Sequence, residues 1–382
     1  MKSKSMLLVA ALGFGLVSSA SAQTVVRLTG STAFRSSVHQ AILDLMPDEI
    51  YSYTGTAGLG SASQAIFKGT IAGNVVIIKT SWSGSAAGIR DVAQGNNVNF
   101  LADAVVTVPA TPGYGTAGGT ANVAAGTTAE VAQVAMSDVF QGSTIYTTPT
   151  LTDNKVAAVP FKWIANDGAP AALTNVAPGV IQKTFFNGGL PLAVFTGNSA
   201  DQGVTVYPVG RDPESGTRIT AMAESGLGAF ATVIQYDATV ASDEVTDLQP
   251  WAATGAPTNY VAGNNGYSSG GTLRDKLGAK STNFGVLLGY LGLTDSATAI
   301  TNGAKELSWN GVPYSATNVY EGRYTFWGYQ HLFYKNTLTG VPLTTATALK
   351  NQIIAVPGSA GLLLSNMHVS RAYDGAPIDP EY

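Results

Sequence analysis

The stretch GRDPESGTR, Gly210 to Arg218, lies between an apolar run, GVTVYPV, and a small-residue run, ITAMAESGLGAF. It places Arg211, Asp212, Glu214 and Arg218 within nine residues of a chain whose charged residues make up only 12%. The apolar run reads as a strand. Ser215-Gly216-Thr217 then opens a helical pattern, so the charges sit at a strand-to-helix junction. Taken alone, a polar turn explains the stretch as well as a binding role does. The rest of the chain decides between them.

Similar junctions recur upstream. TVVRL alternates like a strand and runs into TGSTAFRSSVHQAILDLM, where Phe34, Val38, Ile42 and Leu45 fall at helical spacing. Gly30, Ser31 and Thr32 stand where the helix cap is expected. NVVIIKT (Asn74 to Thr80) reads as a buried strand, followed by a helical face of Ala86, Ile89, Val92 and Ala93 behind Gly84-Ser85. VAQVAM (Val131 to Met136) reads as a strand that ends at Ser137-Asp138. KVAAVPFKWIAND is extended, although Pro160 is poorly suited to a strand interior. LTNVAPGVIQKTFFNGG turns helical towards its end, AGNNGYSSGGTLRDKLG is polar, with NNGYSSGG (Asn264 to Gly271) reading as a loop, and NFGVLLGYLG is apolar. VYEGRYTFWGYQHLFY alternates as strands do, and TTATALKNQIIAV has a Thr cap and a helical period. Alternating strands and helices predict an α/β chain with largely parallel sheets, and 382 residues suffice for two lobes. No tandem repeat is visible.

The first residues, MKSKSMLLVAALGFGLVSSASAQ, carry Lys2 and Lys4 ahead of an apolar run, then Ala20-Ser21-Ala22. This is the pattern of a signal peptide over residues 1–22, cleaved before Gln23, and the run is too short to span a bilayer permanently. A periplasmic or secreted protein is therefore expected. The chain has no cysteine, so neither a disulfide nor a lipid-modified N-terminal cysteine is available. Losing Lys2 and Lys4 takes the formal net charge from −4 to −6, and no basic stripe offers itself to nucleic acid. Residues 109–130, rich in Gly, Ala and Thr without periodicity, read as a loop or loose hairpin insertion.

TGSTAF, SGSAAG and ESGTR each set small hydroxyl and glycine residues at a helix start. There the first backbone N–H groups lack intrahelical partners and the helix dipole is positive, which suits an anion. Arg211 adds a fixed charge and a forked donor matched to an oxyanion. Each junction alone is also ordinary capping; three together, one with an arginine, point to anion binding without naming the anion. Catalysis finds less support. Only His39, His331 and His368 could serve as an imidazole base, and neither a G-x-S-x-G elbow nor an H-E-x-x-H cluster occurs. A non-enzyme needing no metal or cofactor is expected. Trp82 and Trp163 read as core, and Tyr320, Tyr324, Phe326, Trp327 and Tyr329 as strand packing or interlobe surface.

The order of these motifs resembles the phosphate-binding proteins of bacterial ABC importers, within the type II periplasmic solute-binding proteins. GSTAFR holds the place of that family's G-A-T-F turn, SGSAAG of its G-S-S-G-G turn, AMSD of its A-S-D strand end, and RDPESGT of its R-x-D-G-S-G-T loop. The resemblance covers most of the mature chain, loosely outside the motifs. It implies a two-lobed α/β fold with a ligand cleft between the lobes, residues 23–157 plus 317–382 forming one lobe and 158–316 the other, with KVAAVPFKW and VYEGRYTFW near the hinge. It further implies that Thr32, Ala33, Phe34 and Ser85 donate to the anion and that Arg211, Ser215, Gly216 and Thr217 clamp it. Asp138 would accept a hydrogen bond from a protonated oxyanion, separating hydrogen phosphate from sulfate. The implied partners are inorganic phosphate and the membrane subunits of an ABC importer, and a monomer is expected. The chain departs from the family at Pro213, where an aspartate is usual, with Asp212 and Glu214 on either side as alternative counter-charges to Arg211. The same fold with another oxyanion or a phosphate ester remains an alternative, as does a non-transport surface protein.

Overall fold

The computed structural model describes residues 23–46, 50–55, 57–103, 126–255 and 259–381. The expected signal peptide and residues 109–125 of the Gly/Thr-rich segment lie outside them. The order opens with β1 (Thr24–Gly30), α1 (Arg35–Leu45), β2 (Ile50–Tyr53), β3 (Gln64–Ile71), β4 (Asn74–Trp82) and α2 (Ser85–Gln94). A hairpin of β5 (Asn97–Leu101) and β6 (Thr127–Val131) flanks the insertion, and β7 (Val134–Ser137) follows. The long β8 (Thr152–Ala165) leads to β9 (Asn175–Val176), α3 (Pro178–Asn187), β10 (Leu190–Pro191), α4 (Ala193–Thr196), β11 (Thr205–Pro208) and α5 (Gly216–Glu224). Next come the hairpin β12 (Tyr236–Ala241) and β13 (Glu244–Pro250), α6 (Gly270–Leu277), β14 (Val286–Gly292), α7 (Leu293–Thr301) and β15 (Lys305–Trp309). The order is completed by α8 (Ala316–Tyr320), β16 (Trp327–Tyr334), α9 (Gly340–Ala355), β17 (Val369–Ser370) and β18 (Asp379–Pro380).

One sheet runs in the order β10-β11-β14-β8-β16-β7-β1-β4-β3-β2, with β15 against β8 and β9 against β15. β8 joins its two halves: Thr152–Pro160 pair with β16, and Phe161–Ala165 pair with β14. Pro160 sits at the changeover, where a residue without an N–H is tolerated. Among the described residues, β1 is parallel to β4 and β7, β11 to β14, and β9 to β15, while the other neighbours in this sheet are antiparallel. The sheet is therefore mixed, where the alternation of elements suggested a largely parallel one. Antiparallel β8 and β16, which hold the centre, need no helical crossover between them.

The apolar pattern explains the burial. Phe34, Val38 and Ile42 of the first helical stripe are fully buried, and Ile89, Val92 and Ala93 of α2 pack on Phe100, Ala135 and Phe333. Trp163 meets Tyr290, Trp309 and Phe326 at ring-centroid distances of 5.5, 5.8 and 5.2 Å, an aromatic seam where β8 enters the second half. Each such ring contributes about 2–3 kcal/mol of burial. Gly30 is needed for close approach as well as for its φ of +121°, since a Cβ there would overlap the carbonyl oxygen of Met136.

Four local readings change. Helix α1 starts at Arg35 with Phe34 as its cap residue, because Ser31 N–H donates to Met136 O (2.8 Å) and holds the preceding turn open. VAQVAM is split between the end of β6 and β7. Val319 and Tyr320 lie in α8, so the aromatic strand begins only at Trp327. The loop read over NNGYSSGG ends in the first turn of α6, which runs on through the polar TLRDKL and is capped by Ser269 Oγ accepting from Thr272 N–H at 3.1 Å.

Candidate anion-binding site

Parallel strands end on the same edge of a sheet, and the first three motif turns all lie there. β1 leads to Thr32–Phe34, β4 to Ser85 at the start of α2, and β7 to Asp138. In the other half β11 leads through Gly210 and Arg211 to the N-terminus of α5. Ligands of open α/β sheets are held at such carboxyl edges. The two sets touch. Arg211 Nη2 donates to Thr32 Oγ1 at 3.2 Å, and Thr217 Oγ1 donates to Asp138 Oδ2 at 3.3 Å. Ser85 Oγ donates to Asp138 Oδ1, and the Asp138 N–H returns a bond to Ser85 Oγ at 3.3 Å.

The nine-residue stretch divides its four charges among four tasks. Arg211 is 2% exposed and anchored by Nε to Tyr267 O (2.8 Å) and by Nη2 to Ser268 O (2.9 Å). Asp212 shapes the turn, accepting from Glu214 N–H at 2.9 Å; its other oxygen is 4.0 Å from Arg211 Nη2. Glu214 turns away from Arg211 and crosses to the opposite half, where it pairs with Arg90 and accepts from Tyr146 Oη at 2.8 Å. Arg218 is internal scaffolding, bonded to Asn264 and to Arg211 O (3.2 Å).

Asp138 is the most constrained group of the site. It is 1% exposed, and burial pushes its carboxyl above the usual range, opposed by the Ser85 bond, the Arg211 charge and the Thr217 bond. It lies against Gly216, where a Cβ would overlap Oδ1, so only glycine lets the α5 N-terminus come this close. Ser215 acts as the α5 cap, its Oγ accepting from Arg218 N–H at 3.4 Å, which leaves its own hydroxyl proton to donate. Among the described residues nothing accepts from the N–H groups of Thr32, Ala33, Phe34, Gly216 or Thr217. The arrangement thus offers several open donors, a guanidinium and the buried Asp138 acceptor.

The supports of the site were invisible in the sequence. Tyr290 Oη accepts from Arg211 N–H (3.1 Å) and donates to Gln235 Oε1 (3.2 Å), while Gln235 Nε2 donates to Arg211 O (3.1 Å). Arg35, Arg274 and Asp295 gather beside Arg211 at the start of α6, in a segment read as loop. Only the fold brings them there. Among the described residues no group of three or more His, Asp or Glu is placed to hold a metal ion, and no helix is long and apolar enough to cross a membrane.

No protein-family model matches the chain, and no curated protein matches it. Solved structures do. It is similar to a protein assigned as a phosphate ABC transporter substrate-binding protein, solved with bound phosphate, from Clostridium perfringens: 14% identity, 88% of this chain and 95% of that one covered, TM-score 0.52. An ABC-type phosphate transport receptor from Vibrio cholerae is 14% identical over 88% of this chain and 100% of its own, with a TM-score of 0.47. The fold is thus the two-lobed type II fold of periplasmic binding proteins.

Proposed function

We propose that this chain is an exported solute-binding protein that captures hydrogen phosphate between its lobes and hands it to the membrane subunits of an ABC importer, without chemistry on the ligand. One observation carries the reading: Arg211, open N–H groups from both halves and the buried Asp138 carboxylate converge on one point. In this reading Thr32, Ala33, Phe34, Ser85, Ser215, Gly216 and Thr217 donate, Arg211 supplies charge, and Asp138 accepts the proton of the ligand. A fully deprotonated anion would set its oxygens against that carboxylate, which costs on the order of several kcal/mol. The lobes are residues 23–157 with 317–382, and 158–316; residues 1–22 are the export signal, and the mature protein works as a periplasmic or secreted monomer.

The test is calorimetric titration of the mature protein, stripped of ligand by partial unfolding and refolding, with phosphate, sulfate and molybdate. One-to-one binding of phosphate with no response to sulfate is expected. Binding of sulfate alone would keep the fold and reject Asp138 as the discriminating acceptor. A folded protein that binds none of these anions would overturn the reading.

A further inference from the structure

The phosphate reading leaves one buried charge unused. Arg35, the first residue of α1, is 7% exposed, and among the described residues it makes no hydrogen bond or ion pair. Burial draws its guanidinium below the usual value, and nearby Asp295 opposes this at longer range. The charges around it are engaged elsewhere. Arg274 bonds Asp275 Oδ1 at 2.7 Å and Asp295 Oδ1 at 3.5 Å. Arg211 spends Nε and Nη2 on Tyr267, Ser268 and Thr32 and stands 4.0 Å from Asp212.

Arg35 is aimed at the N-terminus of α6. A Cβ built on Gly271 would lie 3.6 Å from Arg35 Nη2, and one on Gly270 would lie 3.7 Å from Arg211 Nη1. Three guanidinium groups therefore flank one helix start whose first two residues carry no side chain, Arg274 Nη1 lying 3.8 Å from the same Gly271 Cβ position, with the Asp295 carboxylate against Gly270 as the local counter-charge. Arg211 belongs to the phosphate site and Arg274 pairs with Asp275 and Asp295; Arg35 feels Asp295 only at longer range and among the described residues has no hydrogen-bonded partner.

We infer that the cleft takes a phosphate monoester bearing a second acid group, its phosphate held at Arg211 in the singly protonated form whose P–OH donates to Asp138, with a carboxylate at Arg35 over the α6 N-terminus. This rests on the reading of the site as a phosphate site and narrows its ligand. Inorganic phosphate has no second acid to offer Arg35, and a planar carboxylate suits the forked guanidinium.

The test titrates the mature protein with inorganic phosphate, glycerol 3-phosphate and 3-phosphoglycerate, then repeats the series on Arg35→Gln and Arg35→Lys. The parent is expected to bind 3-phosphoglycerate at least tenfold more tightly than the other two. Arg35→Gln should lose that preference with inorganic phosphate unchanged within about twofold, and Arg35→Lys should keep part of it. Arg35→Gln should also melt no lower than the parent, because the buried charge it removes has no hydrogen-bonded partner to repay its desolvation. Equal affinity for the two esters, or equal weakening of all three ligands by Arg35→Gln, overturns the inference. Phosphate binding without a preference for 3-phosphoglycerate removes this inference alone; no binding of any of the three removes the phosphate site with it.

Discussion

The two faces of the cleft use different means. On the side of β1, β4 and β7 the groups are backbone N–H groups, two hydroxyls and one carboxylate, each placed by the end of a parallel strand. On the side of β11 the N–H groups at the start of α5 are joined by a guanidinium, Arg211, which with the scaffolding Arg218 is held by a buried network of Tyr267, Tyr290, Gln235 and Asn264. The first face gets its precision from the sheet, which ties neighbouring strand ends together. The second must build precision from side-chain hydrogen bonds, and a single missing partner there leaves a buried charge exposed to no compensation.

The sharpest break in this contrast is Arg211→Ala. It should weaken phosphate at least a hundredfold, about 3 kcal/mol, while loss of a neutral donor on the opposite face, Thr32→Ala, costs far less. Titration of both variants reads the difference, and equal losses would mean that the charged face has no special part in affinity.

Asp138→Asn comes next. Sulfate should gain on phosphate by roughly tenfold, about 1.4 kcal/mol, measured as the ratio of the two affinities. The same variant has a stability signature of defined sign. Burial holds the Asp138 carboxyl above its unfolded value, so the native protein keeps a proton that the unfolded chain has already released. That contribution to stability is present at acid pH and lost as pH rises through the raised value. Thermal melts from acid to neutral pH should therefore be flatter for Asp138→Asn than for the parent; parallel curves would remove the buried-acid account.

The smallest effect is expected from Glu214→Gln, which cuts the ion pair to Arg90 but keeps an acceptor for Tyr146. Both side chains of the pair are partly solvated, at 30% and 20% exposure, so the cost is about 0.5–1 kcal/mol. It should appear as a few-fold weaker affinity and a larger radius of gyration in X-ray scattering. An unchanged radius would show that Glu214 does not help hold the faces together.

The first face was the legible one. Gly30, Ser85 and Asp138 follow apolar runs whose period marks strands, so their place at one edge could be read from spacing. On the second face, GRDPESGTR announced itself by charge density, but what Arg211, Glu214 and Arg218 do depends on partners 46 to 179 positions away. Glu214 was set beside Arg211 by sequence proximity, and the fold sends it to Arg90 instead. Helix α6 was missed because its glycine start and polar sequence leave only Leu273 and Leu277 as an apolar repeat, too short a pattern to separate from a loop. Arg35 looked like an ordinary first-turn residue because nothing local says that the end of another helix faces it.

The long strand β8 belongs to both halves at once, paired to β16 along one stretch and to β14 along the next. Any opening of the cleft must therefore pass through a hydrogen-bonded ribbon with Pro160 and Trp327 side by side at its midpoint. Such a ribbon would work as a torsion bar: its restoring torque grows with the twist and the stored energy with the square of the angle, which favours a single alignment of the two jaws.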